Sequence, residues 1–407
     1  MQVLRLAIKN IVRYQQRTLI TILAMAFAGA IMIFYAGLME GWLRAMETNA
    51  VSMEMGEVQI HAPGYRDDPD LYTLITDEGT ILEQIKQEGF IAAGRLLGGG
   101  LAAAKENSTG VSIRGVDLKA EQQVVLLHNH IRSGSWLSEN DRKGVVVGRQ
   151  LAMILDVQPG SELVLVGQAA DGSLANDLYT VRGVLKSVGQ GIDRGGLFMN
   201  DQAFREFFVL DHGVHEIVLQ RVDYSESLAA ATQRLTALFP ELEVENWRQL
   251  QPTLARLLDL SNVSLVIMLL ITYAAVGMLT MNAMLMGVFE RIPQFGVMKA
   301  VGFSGLRLFG LIFIETFFQV SIATLLAVGG GLPLSLYFEK HPIDFSFLLQ
   351  GSSTIAGIAF EPQWYCQVTI DSVVLPVVFL YVVAMVAIIY PAVKAAMISP
   401  VEAIHHH

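Results

Sequence analysis

Four stretches of this chain are long and apolar enough to cross a lipid bilayer, and they limit what it can fold into more than any motif does. Thr18–Met39, Leu260–Phe289, Leu308–Phe338 and Ser372–Val393 each carry at most one charge. A helix needs roughly 20 apolar residues to cross a hydrocarbon layer about 30 Å thick. Only Glu315 interrupts the third stretch. Charged residues make up 16% of the chain, against roughly 25% in a soluble globular domain. The first stretch is too long for a signal-peptide core, and no small-residue cleavage site precedes Glu40, so it reads as a retained span.

Basic residues near span ends stay on the cytoplasmic side. Arg5, Lys9, Arg13 and Arg17 precede the first span, Arg291, Lys299 and Arg307 lie between the second and third, and Lys394 follows the fourth. All eight fall inside if both termini are cytoplasmic. Set against Glu290 and Glu402, they leave the inner segments at +6, so the rest of the chain carries −16 of the total −10. An acidic outer surface argues against a nucleic-acid partner. Cys366 is the only cysteine, which excludes an intrachain disulfide and leaves the outer part to fold on its own core.

The expected organisation is an interfacial helix over 1–17, a first span over 18–42 and a large outer domain over 43–259. A second span over 260–289, a cytoplasmic coupling helix over 290–307 and a third span over 308–338 follow. An outer loop over 339–371, a fourth span over 372–393 and a cytoplasmic tail over 394–407 complete it. Within the outer domain, Gly56–Ala62, Gly110–Val116, Ser161–Gly167, Tyr179–Leu185 and His215–Val222 read as strands by alternation and β-branching. Ile81–Gln87, Gly148–Leu155 and Ser227–Phe239 read as helices, so the domain is of mixed α+β class. Asn246–Leu260 reads as a helix running straight into the second span, and the first span has no strong breaker before Gly56.

No Gly-Lys dipeptide occurs, which excludes a Walker A phosphate loop; any ATP that drives this protein is bound elsewhere. His128–His130 and His212 with His215 lack a third ligand at zinc-site spacing and read as surface-loop histidines rather than a metal site. No Gly-x-Ser-x-Gly elbow occurs, and Gly98–Gly100 and Ser133–Ser135 read as turn material. No catalytic residue is assigned. Glu315 is an intramembrane carboxylate and so a functional candidate, for proton or substrate handling or for a hydrogen bond between helix ends.

The segment Glu290–Ser304 is the most informative. Pro293 suits the first helical position, Gln294–Val301 can form two turns, Gly302 is a left-handed stop and Ser304 an N-cap for the third span. The expected helix lies on the membrane face, with Phe295, Met298 and Val301 turned towards a partner's cleft and Glu290, Arg291 and Lys299 accessible.

These residues resemble the permease family of ABC transporters that includes FtsX, the MacB efflux pump and the LolC/LolE lipoprotein-release subunits. Glu290-Arg291, Gly296, Lys299-Ala300 and Gly302 match the pattern that follows the family's second span, with Gln294 where an acid is usual. The likeness runs through the whole chain. "LAIKNIVRYQQRTLITIL" is similar to the family's opening, Val145–Leu165 to a segment of its outer domain, and Pro400–Ile404 to its close. "MEGWLRAMETNAVSMEMGEVQIHAPGY" resembles the lipoprotein-release subunits most.

The resemblance implies four transmembrane helices with a large MacB-like periplasmic domain between the first and second, in a bacterial inner membrane. It implies a cytoplasmic ATPase dimer that binds ATP and Mg, no cofactor on this chain, and a second permease copy or paralogue. It further implies membrane lipid and a periplasmic carrier or adaptor as partners, and ATP-driven movement of an amphiphile, a lipoprotein first, to a periplasmic acceptor; MacB-like export of a peptide or drug and FtsX-like regulation of a periplasmic enzyme are the alternatives. Glu290, Arg291, Pro293, Gln294, Phe295, Gly296, Met298, Lys299 and Gly302 would couple to the ATPase. Ile33, Leu38, Val263 and Ile267 would line a lipid-open substrate cavity between the first two spans.

Overall fold

A computed structural model describes residues 15–344, 354–355, 358–359 and 363–398. The interfacial helix expected over 1–17 falls mostly outside the described residues, as does the closing Pro400–Ile404 pattern. Among the described residues, four helices are long and apolar enough to cross a membrane: Thr18–Met55, Pro252–Glu290, Gly305–Lys340 and Ile370–Met397. The chain divides into two compact units, one of residues 1–44, 258–345 and 363–407, the other of residues 45–257 and 346–362.

In the first unit the helices are α1 (Gln15–Ala50, of which the part to Arg44 belongs here), α9 (Pro252–Glu290, of which the part from Leu258 belongs here), α10 (Ile292–Ala300), α11 (Gly305–Lys340), α12 (Ile370–Ala387) and α13 (Ile389–Met397). Side chains of α1, α9, α11 and α12 meet in one buried cluster that includes Met25, Leu269, Tyr273, Val320 and Leu380. Small residues bring α1 close to its neighbours. A Cβ added at Gly331 would lie 2.8 Å from the Ala30 carbonyl oxygen, and one at Gly41 only 2.0 Å from that of Tyr365.

The second unit carries the outer domain. α1 ends in a π-helical turn, Val51–Met55, stopped at Gly56 by φ +65°. Then come β1 (Val58–His61), α2 (Glu78–Gln87), β2 (Phe90–Ala104), β3 (Asn107–Val116), α3 (Leu118–Val124), β4 (Ile131–Gly134), β5 (Gly144–Val147), α4 (Arg149–Leu155), β6 (Glu162–Gln168) and β7 (Leu174–Leu185). After them lie α5 (Gln190–Gly195), β8 (Gly196–Asn200), α6 (Asp201–Phe208), β9 (Glu216–Arg221), α7 (Leu228–Leu238), β10 (Glu243–Asn246) and α8 (Trp247–Leu250).

The strands form one mixed sheet in the order β10-β1-β9-β2-β3-β8-β5-β7-β4, with β6 pairing β2 and β7. The pairs β3–β8 and β5–β7 are parallel. The first strand pairs antiparallel with the last, Val58 opposite Asn246, so the chain enters and leaves this domain side by side. Alternation sorts the faces: Val58, Ile60, Leu96, Val111, Ile113, Ile217 and Leu219 turn to a core with Phe204, Phe207 and Phe208 of α6.

Three expectations are corrected. Gly98–Gly100 is the middle of the longest strand, not a turn, because the sheet needs bare backbone where α6 packs: a Cβ at Gly98 would lie 2.9 Å from the Phe208 ring and one at Gly115 2.5 Å from Phe204. Ser133 and Gly134 likewise close β4. The helix expected over Asn246–Leu260 is broken at Gln251, whose φ −124° and ψ 68° are non-helical; Pro252 disfavours the helical region for the residue before it.

Candidate functional site

The segment between the second and third spans forms the short helix that its pattern predicts, but with the expected faces exchanged. α10 covers Ile292–Ala300, with Pro293 in its first turn, where a missing N–H leaves nothing unpaired. The helix ends in a Schellman closure: Gly302 N–H donates to the Lys299 carbonyl (3.0 Å), Phe303 N–H to that of Met298 (2.9 Å), and Gly302 takes φ +101°. Ser304 then caps α11, its hydroxyl accepting from Arg307 N–H at 3.4 Å.

Ile292, Phe295 and Gly296 are buried, and Phe295 packs with Val288, Leu308, Ile312, Ala392 and Ala395. Arg291 is buried too. Its Nη1 donates to both oxygens of Glu315, at 3.2 and 3.4 Å, and its guanidinium stands 5.3 Å over the Phe295 ring. Lys299 Nζ donates to the carbonyls of Ala396 (2.6 Å) and Ile398 (2.7 Å), where a cation favours the end of α13. The arginine and lysine of the motif thus fasten α10 to α11 and α13, and Glu315 is the acceptor for one of them.

This corrects the expected accessibility of Arg291 and the assignment of Phe295 to a docking face. At 3.6 residues per turn, Phe295 and Val301 point about 120° apart, so steps of three do not stay on one stripe. The outward stripe is Pro293, Gln294, Val297, Ala300 and Val301, with Val301 84% and Val297 56% exposed. Leu306, also 84% exposed, extends it. Glu290 and Gly302 are exposed, and Met298 is half-buried. Val297 and Leu306 were missed, because a short helix with apolar residues on all sides has no stripe of its own to mark the outward face.

The cavity candidates separate as well. Val263 and Ile267 lie on the exposed face of α9 and Leu38 is half-buried. Ile33 is 1% exposed; it faces α11, where a Cβ on Gly331 would come 3.1 Å from its own Cβ. It cannot line a lipid-open cavity in this arrangement. In the outer domain His215 is fully buried at the foot of β9 rather than in a surface loop.

Two family models match the chain, the MacB-like periplasmic core domain over residues 18–238 and the FtsX-like permease C-terminal domain over residues 266–400. Among solved structures, the chain is similar to the periplasmic region of MacB from Actinobacillus actinomycetemcomitans, at 12% identity and TM-score 0.36, covering 51% of this chain and 95% of that one. It is also similar to the extracellular domain of the ABC-type transporter YknZ from Gram-positive bacteria, at 14% identity and TM-score 0.34, covering 47% and 99%. No curated protein matches it.

Proposed function

We propose, from the premise that this chain belongs to the ABC-transporter permeases of the MacB/FtsX type, that it is a membrane subunit moved by ATP bound to a separate cytoplasmic ATPase dimer. The observation that carries this reading is α10: one face is fastened to α11 and α13 by the Arg291–Glu315 pair, Lys299 and Phe295, while the other presents Val297 and Val301. A push on the outward stripe is passed to the spans rather than absorbed, because the inward face is packed and ion-paired.

In this reading both termini are cytoplasmic and the outer domain is periplasmic, in a multi-pass inner-membrane protein. The permease works as a pair, with a second copy or a paralogue. The movement displaces an amphiphile, a lipoprotein in the first instance, from the outer leaflet towards a periplasmic carrier. The exposed apolar residues Val263, Val266, Ile267 and Leu270 on α9 support an acyl-chain path.

Val297→Glu combined with Val301→Glu is expected to abolish co-purification with the ATP-hydrolysing subunit from the native host while leaving thermal unfolding of the permease unchanged. Normal association would overturn the docking assignment. Photo-crosslinking from Val263 or Ile267 to an acylated protein tests the cargo, and a clean absence of lipid-bearing adducts there counts against it.

A further inference from the structure

The outer domain holds a cleft of about 590 Å³, within the range of small-ligand sites. It lies on the sheet face opposite the aromatic core. Its floor is the polar side of β1, β2 and β3, including His61, Gly99 and Ser112; Glu54 and Arg66 stand on its walls. The lining mixes hydrogen-bond donors and acceptors, and four of its five charged side chains already stand in ion pairs. Arg114 pairs with Glu54 and Arg66 with Glu245. Glu216 accepts from Arg95 at 2.9 Å and lies 3.3 Å from His61 Nε2. Asp70 accepts from the N–H groups of Tyr72 (2.8 Å) and Thr73 (2.6 Å).

An anionic ligand would have to compete with Glu54 for Arg114 or with Glu245 for Arg66, and would leave the displaced carboxylate unmatched. A neutral ligand need not. A guanidinium has five N–H donors and a carboxylate about four lone-pair positions, so each pair keeps capacity for further bonds. Hydroxyl groups, which donate once and accept twice, can use both kinds of free position without separating charge. Leu71 and Leu97 add apolar contact for C–H faces.

We propose that this cleft binds an uncharged, hydroxyl-rich ligand, a short saccharide. This goes beyond the ATPase-coupled reading and does not depend on it. Gly99 offers a clean probe: a Cβ there meets nothing within 4 Å, whereas its neighbour Gly98 faces Phe208. A side chain at 99 therefore fills the cleft without crowding the core.

The experiment is saturation-transfer NMR on the full chain in lipid nanodiscs prepared without maltoside detergent. Maltose and N,N′-diacetylchitobiose serve as probes, with a capped trialanine peptide for contrast. The expected result is transfer to sugar ring protons that falls at least tenfold in Gly99→Leu. Ser112→Leu, on the same floor, is the second variant, and either is read only if it unfolds as cooperatively as the unaltered chain. Absence of transfer from both sugars, transfer unchanged in the folded variants, or transfer from the peptide alone each overturns the proposal. The Val297→Glu/Val301→Glu protein should keep the sugar signal, which separates this test from that of ATPase docking.

Discussion

At the scale of single residues, two buried groups of β9 and its approach give the outer domain a calculable acid sensitivity. Burial lowers the His215 imidazole to about 4 from its ordinary 6.5, so the folded state holds it neutral where the unfolded chain takes up a proton. Stability is therefore lost as pH falls from about 6.5 towards 4. Burial pushes Glu216 up, but the hydrogen bond with His61 and the charge of Arg95 outweigh it and hold the carboxyl at about 2 against an ordinary 4.5. That contribution is complete above about 4.5 and is lost between there and about 2. Chemical denaturation at a series of pH values should show both windows; His215→Gln should flatten the upper and Glu216→Gln the lower. An unchanged pH profile in His215→Gln would show that its burial contributes nothing to the acid response.

The same scale applies to Arg291 and Glu315. Removing one partner of a buried pair costs about 3–5 kcal/mol, so Glu315→Ala should lower the melting temperature markedly. A double change to Arg291→Met and Glu315→Leu should recover most of that loss, since a well-packed apolar pair is often no less stable. If the single variant melts like the parent, the pair does not fasten α10. Neither residue in the sequence names its partner. Glu315 stood out as an intramembrane acid, but a separation of 24 residues across a turn becomes a contact only once α10 folds back between α9 and α11.

At the scale of elements, apolar length made the four spans legible, because nothing else in a soluble chain needs 20 such residues. α10 was legible through its proline, its glycine stop and its serine cap, which are local signals. Its inward and outward faces were not, since a nine-residue helix with apolar residues on all sides has no clear stripe of its own. β2 was misread for a related reason. Glycine usually marks a turn, and only Phe204 and Phe208 of α6, about 90 to 110 residues further along the chain, require bare backbone at Gly98 in β2 and Gly115 in β3. Gly41 of α1 makes a similar close approach, to the Tyr365 carbonyl. Gly41→Val should destabilise the protein by about 1–3 kcal/mol through overpacking, while Leu19→Val on the exposed face of α1 should be nearly silent; thermal unfolding in nanodiscs compares the two.

At the scale of the whole molecule, the sheet closes on itself in sequence terms: β1 lies between β9 and β10, and Trp247 N–H donates to the Glu57 carbonyl at 3.0 Å. A domain whose first and last strands pair, with clusters of buried side chains on both sheet faces, has what independent folding requires. Residues 56–247 expressed alone are expected to unfold in one cooperative transition by circular dichroism; a chain without such a transition would show that the remainder of the molecule completes its core.

The amino-acid sequence by itself determined the membrane class, the presence of a large mixed domain between the first two spans and the absence of a phosphate loop. Each depends on composition or on short-range pattern, which tertiary contacts do not alter. Only the tertiary structure decided which face of α10 is free, where Glu315 finds its partner, why β2 has bare backbone at Gly98 and how the arginines lining the cleft are paired. Those outcomes depend on residues far apart in the chain meeting at a few ångströms, and no local periodicity encodes that.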